Sequence, residues 1–165
     1  FRVPCLRVDG AEIWDTLAIA EYLHECHPEA GLLPSDPGAR AHCRSISGEM
    51  HSGFANMRSA LPMNLRASYS QFKVWTGAEA DIDRIKVIWA ECLDQWGGPF
   101  LFGATPTVAD AMYAPVCTRF RTYSVELDDQ LNAYCDAVMA LPAMQEWLAK
   151  AADEPDIIDE LDAEF

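Results

Sequence analysis

Positive charge is scarce in this sequence: 12 Lys and Arg stand against 26 Asp and Glu, for a formal net charge of -14. Phosphate backbones and anionic lipid both demand a basic footprint, so nucleic acid and membrane surface are disfavoured as partners. Long hydrophobic runs are also missing. Charge interrupts every apolar stretch well before the roughly 20 residues that span a bilayer, and no signal peptide precedes Phe1. No Cys-x-x-Cys pair and no zinc-like grouping occurs. The cysteines (Cys5, Cys26, Cys43, Cys92, Cys117 and Cys135) are scattered, the pattern of reduced, mostly buried thiols in a cytoplasmic protein. His24, Cys26 and His27 cluster without a further donor nearby, so no metal is expected. His42 and His51 are lone helical histidines with no nucleophile beside them in sequence, and no triad follows from spacing. There is no internal repeat. The first residue is not Met, so the chain is expected to be a piece of a longer one.

Apolar residues make up half of what is present, enough for a substantial core. Residues 153–165 carry seven acids and no base, half of the net charge, and read as an acidic, solvated tail. Ile157, Ile158 and Leu161 offer one turn of that tail a way to fold back. At the other end, Val3 to Val8 and Ala11 to Asp15 are apolar-rich runs separated by Asp9-Gly10, the strongest short hairpin signal. Pro4 cannot donate a ladder hydrogen bond and belongs at a strand start or edge. A helix follows, with Thr16 predicted as its N-cap and Leu17, Ile19, Ala20 and Leu23 as its buried stripe. His27-Pro28 ends it. Residues 28–38 have the proline and glycine content of a linker.

Beyond the linker, Cys43, Ile46, Met50, Phe54, Met57 and Leu61 recur at three- and four-residue spacing and predict a single helix from Ala39 to Leu61. Gly48 and Gly53 inside it each cost about 1 kcal/mol relative to Ala. Close approach of a partner helix is the first compensation expected, and a substrate the second. A second helix is predicted over 79–96, stopped by Gly97-Gly98-Pro99. Thr107 and Asp110 form a capping box that opens a third. That helix is nearly apolar and should be the central, buried one, with a bend at Pro115. Two shorter helices, 128–141 and 142–152, complete an all-α bundle.

Val3-Pro4, the Asp-Gly hairpin, Asp15-Thr16-Leu17-Ala18-Ile19, Leu32-Leu33-Pro34 and the Thr107 to Asp110 box together resemble a cytosolic glutathione transferase, in that family's order over essentially the whole chain. Residues 3–47 also resemble its zeta class, which contains glutathione-assisted cis-trans isomerases. The resemblance implies an α+β two-domain fold, mostly α here. Residues 1–27 would be the C-terminal portion of a thioredoxin-like, glutathione-binding domain, 28–38 the linker, 39–152 the all-helical C-terminal domain and 153–165 the tail. A β-α-β unit and a helix, with the thiol-activating residue, would precede Phe1, leaving the 165-residue piece inactive alone.

The same resemblance implies that glutathione is the co-substrate. The main chain of Val3, entering Pro4 through a cis bond, would pair with the cysteinyl part, as strand addition pairs an extended peptide. Asp15 and Thr16 would hold the γ-glutamyl end: helix amides and a hydroxyl for its α-carboxylate, and a carboxylate for its α-amino group. Met50, Phe54, Met57, Arg58, Tyr113 and Arg119 are candidates for the second-substrate pocket, although regular helical spacing favours core for the apolar ones. The arginines, with Arg121, are read as surface salt bridges to nearby carboxylates or, in a cleft, as a preference for a hydrophobic electrophile that is anionic. The expected activity is addition of the glutathione thiolate to that electrophile, or glutathione-assisted isomerisation, by a full-length homodimer. The alternative is a glutathione-transferase-like interaction module without chemistry.

Overall fold

A computed structural model describes residues 3–70 and 72–156. Strand β1 (Cys5–Val8) pairs antiparallel with β2 (Ala11–Trp14) in the register Cys5 to Trp14 and Val8 to Ala11. The turn has positive φ at both central residues, 48° at Asp9 and 84° at Gly10, as a two-residue hairpin requires. The Asp-Gly pair is what makes that cheap.

Helix α1 (Thr16–Cys26) starts differently from expectation. Its N-cap is Asp15, whose side chain accepts from the Leu17 amide at 2.9 Å, and Thr16 is the first helical residue. Asp15 has φ 78°, which places its carboxylate over the first turn one residue before the predicted cap. A short 3-10 turn (Pro28–Ala30) follows. The next segment is tied down: the Leu32 carbonyl accepts from the Val108 amide at 2.8 Å, Leu33 is buried, and Arg40 donates to the carbonyls of Pro34 and Ser35.

The predicted single helix over 39–61 is two. Helix α2 (Pro37–Ser52) begins with Asp36 as N-cap and Pro37 in its first turn, and α3 (Ala55–Ala60) follows a break at Gly53 and Phe54. Phe54 is left-handed (φ 58°) and has no side-chain cap of its own; Asp81 supplies one from a neighbouring helix, accepting from the Met57 amide at 2.9 Å. Apolar periodicity runs on through the break because Phe54 and Met57 still face the core, so the pattern hides it. The helix-approach account of the two glycines also fails. A Cβ on Gly48 would meet nothing within 4 Å, whereas one on Gly53 would stand 2.6 Å from the Glu49 carbonyl oxygen, so Gly53 serves the turn and Gly48 faces open space.

Helix α4 (Thr76–Trp96) starts three residues before the predicted 79, because the Trp75 ring lies over Gly77, where a Cβ would come within 2.0 Å of it. Helix α5 (Val108–Thr122) runs through Pro115 and is the buried, central helix expected. Its capping box is present: the Thr107 amide donates to Asp110 Oδ2 at 2.7 Å, and the Leu101 amide donates to Oδ1 at 3.0 Å. Helices α6 (Asp129–Met139) and α7 (Pro142–Asp153) close the bundle. At its centre Trp89 stacks edge-on or tilted against Tyr113, Phe120 and Tyr134, with ring centroids 4.9 to 5.9 Å apart. Arg66 donates to the Glu154 carbonyl, holding the start of the acidic tail; the turn predicted around Ile157, Ile158 and Leu161 lies outside the described residues.

Candidate functional site

The Val3–Pro4 peptide is cis, as expected. The last hairpin pair is Cys5 opposite Trp14, so Val3 and Pro4, just before β1, and Asp15 and Thr16, just after β2, adjoin the same end of the hairpin. The four residues predicted to contact glutathione therefore meet at one end of the hairpin, where α1 begins. Val3 is 90% exposed.

Two further groups arrive from α2. His51 Nε2 stands 2.9 Å from Asp15 Oδ2, and Arg44 grips Glu21 with two hydrogen bonds of 2.7 and 2.8 Å. Arg44 and His51 lie seven residues apart and share a helix face. Helices α1 and α2 run antiparallel across this pair of bridges, with Gly48 and its open space between them. The Asp15 carboxyl is held below its ordinary value, chiefly by the Leu17 amide; desolvation opposes this, and the His51 charge lowers it further. Nothing in the linear sequence joins His51 to Asp15; the only available signal was the i, i+7 relation of the two basic residues on α2.

A cavity of about 200 Å³ adjoins the bridges, lined by Leu17, Ala20, Leu33, Ser47 and Val108 and by the Glu21–Arg44 pair. It contains none of the six residues predicted for the second-substrate pocket. Met50, Phe54, Met57 and Tyr113 are core residues, Met57 and Tyr113 without exposed surface. Burial first, and nearby Glu49 next, push the Tyr113 phenol up, and its hydroxyl donates to the Ile46 carbonyl at 3.2 Å. Arg119 is half-buried and donates to the carbonyls of Leu61 and Pro115, closing the end of α3; burial lowers it, and the charge of Arg58 lowers it further. Arg58 is exposed, and Arg121 is paired with Asp136. The six do not gather around one opening.

His42 is less isolated than its sequence position implies. Its Nε2 lies 4.0 Å from Cys92 Sγ, and its Nδ1 accepts from Trp96 Nε1 at 3.4 Å. Cys92 is fully buried and its thiol is pushed up to about 12, chiefly by that burial, so the pair holds a neutral thiol and no nucleophile. Among the described residues no three His, Cys, Asp or Glu side chains form a metal site.

A cis-proline hairpin leading into a capped helix, docked on a helical bundle with a buried Thr–Asp capping box, matches a known protein class. Residues 57–150 match the family model described as glutathione S-transferase, C-terminal domain, which covers more than half of the chain. The chain belongs to the glutathione S-transferase family. Among curated relatives, a probable maleylacetoacetate isomerase of Caenorhabditis elegans is 32% identical over 149 residues, covering 86% of this chain and 67% of that protein. The maleylacetoacetate isomerase of Pseudomonas aeruginosa is 29% identical over 162 residues, covering 94% and 74%. The chain spans only 66% of the Rattus norvegicus relative and 57% of the Mus musculus one. A crystal structure of maleylacetoacetate isomerase from Anaeromyxobacter dehalogenans, with glutathione in its active site, superposes with a TM-score of 0.66 at 27% identity, covering 94% of this chain and 74% of that one.

Proposed function

We propose that the full-length protein is a glutathione-dependent enzyme that isomerises a cis-configured, maleyl-type diacid, binding the tripeptide beside Val3–Pro4 with its γ-glutamyl end on Asp15 and Thr16. The observation that supports this reading is the hairpin pairing, whose last pair, Cys5 opposite Trp14, leaves the exposed Val3 and the start of α1 at the same end. The isomerase names borne by the relatives favour isomerisation over conjugation.

The chemistry is addition and elimination. The glutathione thiolate adds to one alkene carbon, the electron pair moves into the conjugated carbonyl as an enolate, and the former double bond rotates. The pair then returns, the carbon–sulfur bond breaks, and glutathione leaves unchanged. Residues of this chain contribute position: Val3 holds the cysteinyl main chain and thereby the sulfur, while the Thr16 amide and hydroxyl at the start of α1 receive the α-carboxylate. Arg58, exposed beside Arg119, is the member of the predicted pocket able to reach a substrate carboxylate. The hydrophobic-electrophile and conjugation readings enter here as alternatives for the same site. Six free cysteines, four of them buried, suit a cytoplasmic protein, and the family likeness supports a homodimer at full length.

The test is retention of the full-length gene product on immobilised glutathione, followed by turnover of a maleyl diacid against a conjugation substrate. Retention with faster turnover of the diacid is expected. No retention would overturn the reading in favour of a non-catalytic interaction module, and retention with conjugation alone would replace isomerisation. Sedimentation of the full-length product checks the dimer.

A further inference from the structure

We infer that His51, from the helical part of the chain, is a positioning residue for the γ-glutamyl end of the ligand, acting through Asp15; this rests on the glutathione reading above.

Three observations converge on Asp15. It is a non-glycine residue at φ 78° and ψ 128°, a conformation that persists only where the surroundings impose it and that is concentrated at ligand sites. Its Oδ1 is committed to the Leu17 amide at 2.9 Å, and its own carbonyl accepts from the Ile19 amide at 3.0 Å. His51 Nε2, 2.9 Å from Oδ2, then fixes the remaining rotation of the carboxylate plane. A carboxylate has about four acceptor directions, so with the Leu17 amide, the Ala18 amide and His51 engaged Asp15 still keeps about one for a ligand ammonium. The anchors leave it charged, oriented and incompletely used.

A purely stabilising role fits poorly. The two side chains are 39% and 42% exposed, and ion pairs at such exposure contribute little to folding. The placement is the informative part: His51 sits in the last turn of α2, where a cation is favoured, and meets the N-cap of α1, where an anion is favoured. Removing the imidazole frees Oδ2 to rotate away from the ligand, at an ordering cost that binding must then supply. No hydrogen bond joins His51 to Thr16, which would receive the ligand's carboxylate, among the described residues, so the loss should be confined to the amino group.

The test is a binding cycle by calorimetry on the full-length protein, using glutathione and its analogue lacking the α-amino group, glutaryl-Cys-Gly. The wild type should bind glutathione more tightly than the analogue. His51→Ala should weaken glutathione on the order of tenfold, the scale of one hydrogen bond to a charged group, while leaving the analogue's affinity unchanged. His51→Gln, which retains an N–H donor, should recover part of the loss. Equal weakening of both ligands, or none of either, overturns the inference while the glutathione reading stands. A wild type that binds neither ligand overturns that reading and the inference with it. Circular dichroism and melting of both variants separate misfolding from lost positioning.

Discussion

The hairpin and α1 on one side, and the bundle from α2 to α7 on the other, are built on different principles. No residue of β1, β2 or α1 is buried, although α1 carries Leu17, Ile19, Ala20 and Leu23. Helix α5 alone buries nine. The bundle is held by apolar packing around Trp89. The hairpin and α1 are held to it by directed polar links, Glu21 to Arg44 and Asp15 to His51, with Leu33 and Val108 beneath. Burial resists perturbation in proportion to area, whereas exposed pairs fix geometry at little gain in stability. Polar damage should therefore cost most where it is buried and least where the two regions meet.

The largest effect is expected at Asp110. Asp110→Ala leaves the Leu101 and Thr107 amides unsatisfied in the core and removes the cap of the central helix, so urea unfolding should show a loss of about 2 to 4 kcal/mol. A loss near zero would mean that water replaces the carboxylate and that the bundle is less dry than its packing indicates. Burial raises the Asp110 carboxyl above 3.8, so the native state keeps this proton longer than the unfolded one. That contribution is full below the unfolded value and disappears as pH rises through the folded value. Asp15, lowered, has the opposite sign: its contribution is present above about pH 4 and is lost as pH falls through its folded value.

Next in size is Gly53→Ala, where the new methyl must displace the Glu49 carbonyl; a melting study should show destabilisation of about 1 to 2 kcal/mol. Gly48→Ala, five residues earlier, should stabilise by about 0.5 to 1 kcal/mol, since the site is helical and open. A destabilising Gly48→Ala would show that α1 and α2 come closer than the structure places them. The smallest effect belongs to Arg44→Ala, at most about 1 kcal/mol on global unfolding. Its signature should be faster hydrogen exchange of α1 amides with those of α5 unchanged, and equal acceleration in both would break the contrast.

The sequence showed the bundle more clearly than the site. The α5 box, the α6 and α7 positions and the hairpin were legible because each depends on neighbours within four residues. The α2–α3 break was not, since Phe54 reverses the chain while keeping its side chain on the apolar face and its cap comes from Asp81, 27 residues further on. In sequence Thr16 is as good an N-cap as Asp15, because a hydroxyl caps as well as a carboxylate, and the positive φ of Asp15 decides between them. Met57 and Tyr113 fall on helical faces that either a pocket or a core would show, and nothing local in the sequence points Arg119 to the Leu61 carbonyl at the end of α3 and the Pro115 carbonyl of its own helix. The Asp15–His51 pair spans 36 positions, beyond anything local periodicity reports.

The hydrogen bond from Val108 to Leu32 carries one further consequence. Residues 31–36 have the composition of a swivel, yet their main chain is bolted to the entrance of the most deeply buried helix, with Leu33 driven into the core and Arg40 clamping Pro34 and Ser35. The angle at which α1 presents its leading amides is thus inherited from the bundle. A substitution deep beside α5 can shift the start of α1 mechanically, without touching any residue there.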